Sequence, residues 1–213
     1  MNKENYSVIP ITRSDAYPWI MKKHYAHRMP SVSHVYSLYN EMKLCGCVTF
    51  GRIANYIEDK AWEPFHVLEL NRLIGDDKNP KNAMSYLIGR AFKLLPKPTV
   101  LISYADFRQG HVGYIYQATN WIYTGIGGEG QNIYIMKDGS EVHQRHEKTI
   151  NMNRVDRVEK TSGKARYYYF IGSRKEKKEM MEMLRFPILP YPKGESKKYD
   201  TSFQPQTQQR LFV

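Results

Sequence analysis

The chain has 213 residues, 41% of them hydrophobic, which is enough for a buried core and argues against a wholly disordered polymer. Its 32 Lys and Arg against 21 Asp and Glu leave a formal charge of +11, a balance that suits a polyanionic partner such as nucleic acid. Two cysteines exclude a disulfide framework and a four-cysteine zinc site, and no apolar run approaches the roughly 18 residues of a membrane span. The first residues, Met1 to Tyr6, lack the apolar stretch of a signal peptide, so a soluble, cytoplasmic protein is expected. The aromatic set of 17 Tyr, 8 Phe and 3 Trp can supply both core and base-stacking surface.

Ser7 to Ile11 reads as a first strand. Asp15 is placed to cap a helix through Tyr17, Ile20, Met21 and Tyr25, with Pro18 tolerated in its first turn. Val35 to Tyr39 and Leu44 to Phe50 form a predicted hairpin turned at Asn40 to Lys43. Cys45 and Cys47, two apart on its second strand, are expected on one side as small buried hydrophobes. Phe65 to Ile74 is the next strand, followed by the polar turn Gly75 to Asn82. Met84, Leu87, Ile88, Ala91, Leu94 and Leu95 then recur at helical spacing until Pro96 and Pro98 stop the run.

Val100 to Tyr104 is apolar and β-branched, as in a strand buried on both faces, and leads into Ala105-Asp106. A short helix is expected over Val112 to Ala118, with strands at Tyr123–Gly127, Ile133–Met136 and Tyr167–Ile171. Ser173 with Glu176 three residues on is a capping-box pattern opening a last helix through Leu184. The expected organisation is one domain over residues 1–192, with a basic arm over 143–185 and a flexible tail over 193–213. The order of elements predicts an α/β (α+β) fold, a mixed central sheet flanked by helices with a basic C-terminal extension, and the strand ends after Ile74 and Tyr104 are the places to look for a site.

Three stretches stand out at those ends: Lys23-His24-Tyr25-Ala26-His27-Arg28, Glu69-Leu70-Asn71-Arg72-Leu73, and Ser103-Tyr104-Ala105-Asp106. The third continues to Tyr116-Gln117-Ala118-Thr119-Asn120-Trp121. In these residues, from about Tyr17 to Tyr123 and again at Leu189 to Lys193, the sequence resembles the Mom family of phage DNA-modification proteins, a branch of the general N-acetyltransferase (GNAT) fold. The resemblance implies a GNAT-like sheet and an acyltransferase-like enzyme that converts adenine N6 in phage DNA to a carbamoylmethyl derivative and so evades host restriction. It assigns His24, Tyr25, Asp106 and Tyr116 to the chemistry, and Arg72 and Ser85 to the donor side. General acetyltransferases carry a Gly-rich phosphate loop where this chain has Gly75 to Asn82 with Pro80. That departure counts against ordinary binding of acetyl-CoA, the donor the fold suggests, and leaves another acetyl- or glycine-derived donor open.

The residues themselves suit such chemistry. Adenine N6 is a poor nucleophile, so a proton must leave it or its partner must be activated. Asp106 can accept that proton, His24 can act as base, Tyr25 or Tyr116 as acid or stacking face, and Arg72 can grip a phosphate or carboxylate. Lys81, Asn82 and the amides that open the following helix form a candidate anion site. His24, His27 and Asp106 together allow a non-haem iron reading, the two histidines sharing a helix face.

Residues 143–178 hold 11 Lys and Arg against 4 Asp and Glu, with Tyr167 to Tyr169 interleaved. Arg154, Arg157, Lys164 and Arg166, with Arg28 and Arg108, are candidate contacts to double-stranded DNA. Gln208 to Phe212 is similar to peptides that dock on bacterial sliding clamps. Two other readings stay open at this level, a non-catalytic DNA-binding protein on the same fold and an acetyl-CoA-dependent N-acetyltransferase of a small amine or protein.

Overall fold

The computed structural model describes residues 1–53 and 56–194. Its strands are β1 (Tyr6–Pro10), β2 (His34–Asn40), β3 (Lys43–Gly51), β4 (His66–Gly75), β5 (Thr99–Asp106), β6 (Ile122–Met136), β7 (Glu141–His143) and β8 (Val155–Ile171). They form one mixed sheet in the order β1-β2-β3-β4-β5-β8-β6-β7, in which β4–β5 is parallel and its other neighbours antiparallel. The helices are α1 (Arg13–Pro18), α2 (Tyr56–Lys60), α3 (Ala83–Leu94), α4 (Tyr114–Ala118) and α5 (Arg174–Met183), and a π-helical turn over Trp19–Lys23 continues α1. The mixed sheet flanked by helices expected from the residue pattern is present.

One face of the sheet packs against α3 and α4. Leu87, Ile88 and Ala91 of α3 and Tyr116 of α4 join Val48, Phe50, Leu70, Leu101 and Tyr167 in a single core. Full burial of Leu87 and Ile88 contributes roughly 1.5–3 kcal/mol each, so Leu87→Ala is expected to cost about 2–5 kcal/mol. The other face carries Val67, Val100, Ile102, Tyr168 and Phe170 against Trp62 and the α5 residue Met180, and, further along, Cys47 and Ile74 against Trp19 and Ile20.

Four local expectations change. The first helix is capped by Thr12, whose side chain exchanges hydrogen bonds with Asp15, and it ends at Lys23, because His24 is extended (ψ 133°). Cys45 and Cys47 lie in opposite cores, since Leu38 pairs with Gly46 and Tyr39 with Leu44, leaving Cys45 as an extra residue. Both thiols are free and buried, and burial pushes Cys47 up to about 12, an inert thiol. The two strands expected around Gly127 to Asn132 are one strand, β6, and the late strand begins twelve residues earlier, at Val155. The polar first half of β8 pairs with the outer half of β6, Met136↔Val155 to Asn132↔Lys160, where hydrophobic patterning gives no signal. The end of the chain from residue 195, including Gln208 to Phe212, lies outside the described residues.

The parallel pairing of β4 with β5 runs only from His66↔Thr99 to Glu69↔Ile102. Beyond it β4 stays with β3 as far as Gly75 and β5 stays with β8 as far as Asp106, so the two strands part. At the fork Ser103 Oγ lies 2.7 Å from the Leu70 carbonyl.

Candidate active site at the fork of β4 and β5

A bulge sets which side chains meet at the fork. Thr49 pairs with Arg72 and Phe50 with Leu70, so Asn71 is an extra residue in β4. In a regular strand Glu69 and Arg72, three apart, would face opposite ways. The extra residue turns Arg72 onto the face that already carries Glu69, while Leu70 keeps the α3 side. Asn71 is held by Thr49 Oγ1 at 2.5 Å and donates to the Ser31 carbonyl at 2.7 Å. Glu69 pairs with Ile102, so Tyr104 and Asp106, two and four residues on, lie on that same face. Lys164, opposite Asp106 on β8, completes the row with its Nζ 3.4 Å from Asp106 Oδ2.

Arg72 donates from Nη1 to the Asn71 carbonyl (2.6 Å) and from Nη2 to the Arg28 carbonyl (3.1 Å). Its buried Nε has no acceptor among the described residues. A donor left over on a half-buried guanidinium fits an anionic ligand group better than a purely structural role.

His24 and Tyr25 reach the fork from the end of the π-helical turn. The adjoining Lys23 side chain is fully buried over the Trp19 ring, with Nζ 3.5 Å from Asp77 in the turn before α3. The His24 and Tyr25 rings stack at 4.4 Å, and Tyr25 meets His111 edge-on at 5.5 Å. Burial, with Arg72, His111 and His27 adding to it, lowers His24 to about 3, so the ring is neutral at physiological pH. Its Nδ1 accepts the Ala26 N–H at 3.1 Å, which puts the proton of the neutral ring on Nε2. In this arrangement His24 offers an N–H rather than the free lone pair of a general base. Burial, and next the charge of Asp106, raise Tyr25, while Arg72 and Arg28 act against them, so Tyr25 is a neutral phenol able to donate a proton.

Asp106 ends β5 and caps the turn Phe107–Gln109, its Oδ1 accepting Arg108 N–H at 3.0 Å. One carboxylate oxygen is thus a cap and the other faces Lys164. Tyr116 lies on the other face of the sheet, in the α3-side core between Trp121 and Tyr167. Its hydroxyl is 2.7 Å from Ser103 Oγ, and burial raises it far above the ordinary tyrosine range. The structure therefore brings His24, Tyr25, Arg72 and Asp106 together and sets Tyr116 behind them as a packed side chain.

The donor-side candidates lie at the start of α3. Asn82 is left-handed (φ 71°) and makes no side-chain cap. Ser85 Oγ donates to the Asn82 carbonyl at 3.0 Å. The amides of Met84 and Ser85 have no acceptor among the described residues, and Lys81 is exposed beside them. These groups fit an anionic end of an acyl donor, with Asp76 and Asp77 of the preceding turn each held by a lysine, Lys43 and Lys23.

The metal set does not assemble. Among the described residues no three His, Cys, Asp or Glu gather in a metal-holding group. His24 and His27 share no helix face, because the helix has ended and His27 is itself left-handed (φ 42°), with Nδ1 2.9 Å from the Met21 carbonyl.

Several candidate DNA contacts already have partners. Arg108 makes a two-pronged pair with Glu141 (3.1 Å each) and reaches Glu159 at 3.3 Å. Arg157 pairs with Asp156 and Glu159. Arg166 donates to Thr124 and stacks on Phe186 at 3.3 Å. Arg28 and Arg154 are exposed.

Sequence reasoning passed over Glu69 and His111 as site residues. Glu69 stood inside a quoted motif and His111 between two of them, but only the bulge puts Glu69 beside Arg72, and only the fold puts His111 against Tyr25.

Comparison with known proteins bears on this arrangement. The model of the Mom protein family matches residues 5–193, a span that includes every residue of the fork. The chain belongs to the Mom family. A Mom relative, the methylcarbamoylase of Escherichia phage Mu, is 26% identical over 203 residues, covering 82% of this chain and 78% of its own. Among solved structures, the chain is similar to Arabidopsis thaliana NAA60 in complex with acetyl-CoA (TM-score 0.48, 12% identity, 78% of this chain and 98% of that one). It is also similar to Vibrio cholerae spermidine N-acetyltransferase in complex with CoA and spermine (TM-score 0.46, 13% identity, 79% and 96%). No helix among the described residues is long and apolar enough to cross a membrane.

Proposed function

We propose that this Mom-family protein is a DNA-modifying transferase that places a carbamoylmethyl group on N6 of adenine and so shields DNA from restriction. The observation that carries the reading is the convergence at the parted strands: a carboxylate (Asp106), a neutral phenol (Tyr25), a neutral imidazole (His24) and a guanidinium with a spare donor (Arg72) reach one side of the fork from separate segments. The family and the methylcarbamoylase of phage Mu support the choice of substrate.

In this reading N6 forms a bond to carbon of the transferred group, the donor's leaving group departs with the electron pair of the broken bond, and an N6 proton passes to a site carboxylate. For a carbamoylmethyl product the donor is an acetamido compound whose methylene carbon carries the leaving group, whereas acetyl-CoA, the other candidate, would leave an N6-acetyl group instead. Arg72, Lys81 and the Met84 and Ser85 amides are the donor's anion-holding groups. A base in duplex DNA must leave the stack to reach the fork, and Tyr25 offers it an aromatic edge. Arg28 and Arg154 supply phosphate contacts.

The test is mass spectrometry of nucleosides from DNA of cells expressing the chain. The expected result is a mass-shifted deoxyadenosine that disappears in a folded Asp106→Ala variant. Unshifted deoxyadenosine with the wild-type protein overturns the reading. Salt-dependent DNA binding without a new nucleoside would then mark a binding protein, and acetyl-CoA turnover without DNA an N-acetyltransferase of another amine.

A further inference from the structure

We infer that Glu69, rather than Asp106, is the group that takes the proton from the acceptor nitrogen, and that Asp106 positions the fork. The inference rests on the reading of function above and names a catalytic residue within it. The two carboxylates share a face, but their surroundings differ. Asp106 is committed on both oxygens, to the Arg108 amide and to Lys164. Glu69 has no hydrogen bond and no ion pair among the described residues, although it is half-buried at the last paired position before the strands part.

A carboxylate in that condition costs desolvation energy without recovering it in a bond, which is unusual unless a ligand supplies the partner. The groups whose charge it feels are Arg72 on its own strand, Lys164 on β8 and Arg28 in the loop after the π-helical turn. It is in turn felt by the phenols of Tyr25, Tyr104 on β5 and Tyr116 on α4. Burial is the largest influence and holds Glu69 above the ordinary carboxylate value despite the three cations. A base with its affinity for protons raised in this way, and with both oxygens uncommitted, matches what abstraction from an exocyclic amine requires. In the step, an N6–H bond breaks and its proton bonds to a Glu69 oxygen, while the freed electron pair on N6 forms the bond to the methylene carbon of the acetamido donor, whose bond to its leaving group breaks and sends its electron pair away with that group.

The experiment measures the rate of deoxyadenosine modification against pH for wild type, Glu69→Gln, Glu69→Asp and Asp106→Asn, with thermal unfolding as the folding control. Glu69→Gln is expected to lower the rate by about 10²–10⁴-fold and to abolish the acidic limb of the profile. Glu69→Asp, which keeps the charge but withdraws it by one methylene, is expected to retain that limb at a rate at least about tenfold lower. Asp106→Asn is expected to lower the rate and leave the limb in place. If wild type modifies DNA and Glu69→Gln stays within threefold of it, or if Glu69→Asp is unchanged, or if the limb follows Asp106 instead, Glu69 is not the base while the function stands. If wild type leaves DNA unmodified, both readings fall.

Discussion

Tyr116 donates its hydroxyl proton to Ser103 across 2.7 Å. Ser103 has one proton for two neighbours, and the Leu70 carbonyl 2.7 Å away can only accept, so the direction of the chain is settled: Tyr116 to Ser103 to Leu70. The chain pins α4 to both strands at the point where they begin to part.

This assigns Tyr116 a structural duty that its place in the motif does not reveal. Tyr116→Phe removes one donor and leaves Ser103 still bonded to Leu70, so it is expected to cost about 1 kcal/mol. Ser103→Ala strands both the phenol and the carbonyl and is expected to cost about 1–3 kcal/mol. Denaturant unfolding of both variants checks the order, and a larger loss for Tyr116→Phe would contradict it.

His24 gives a pH signature. Its pKa in the folded protein is lowered from 6.5 to about 3, so the unfolded chain binds more protons than the folded one between those values. Stability from this group is therefore present above about 6.5 and is lost as pH falls toward 3, by about 2 kcal/mol at pH 5. His24→Asn keeps an acceptor for the Ala26 amide without a titrating ring. Its unfolding free energy is expected to fall less than that of wild type between pH 7 and pH 5, and parallel curves would refute the assignment.

The two arginines Arg154 and Arg166 are expected to part company. Arg166 is spent on Thr124 and on the Phe186 ring, so Arg166→Ala is expected to lower stability by about 1–2 kcal/mol. Arg154 is exposed, and Arg154→Ala is expected to leave stability alone, weaken DNA binding about equally across sequences and reduce the salt slope by about one. Binding titrations over a salt series, beside thermal melts, separate the two effects.

Much of the architecture was readable from side-chain periodicity. The helix from Ala83 to Leu94, the apolar strand into Asp106 and the Ser173–Glu176 cap are where local chemistry puts them. The candidate residues were legible as far as short motifs carry them: His24, Tyr25, Arg72 and Asp106 lie on one side of the fork. What escaped has a common cause in strand irregularity. The extra residue at Cys45 reversed the expected facing of the cysteines, and the polar pairing of β8 with β6 hid half of each strand. Tyr116 was singled out by its motif, yet which face of the sheet it serves depends on the layer that α4 joins.

The single surplus residue at Asn71 has a consequence for engineering. Removing it would restore strict alternation in β4 and rotate either the guanidinium or the glutamate through the sheet into hydrocarbon. No substitution elsewhere could then reunite them, because the defect would be one of counting, not of chemistry. A shortened strand of otherwise unchanged composition would present one charge to the cleft where two now stand.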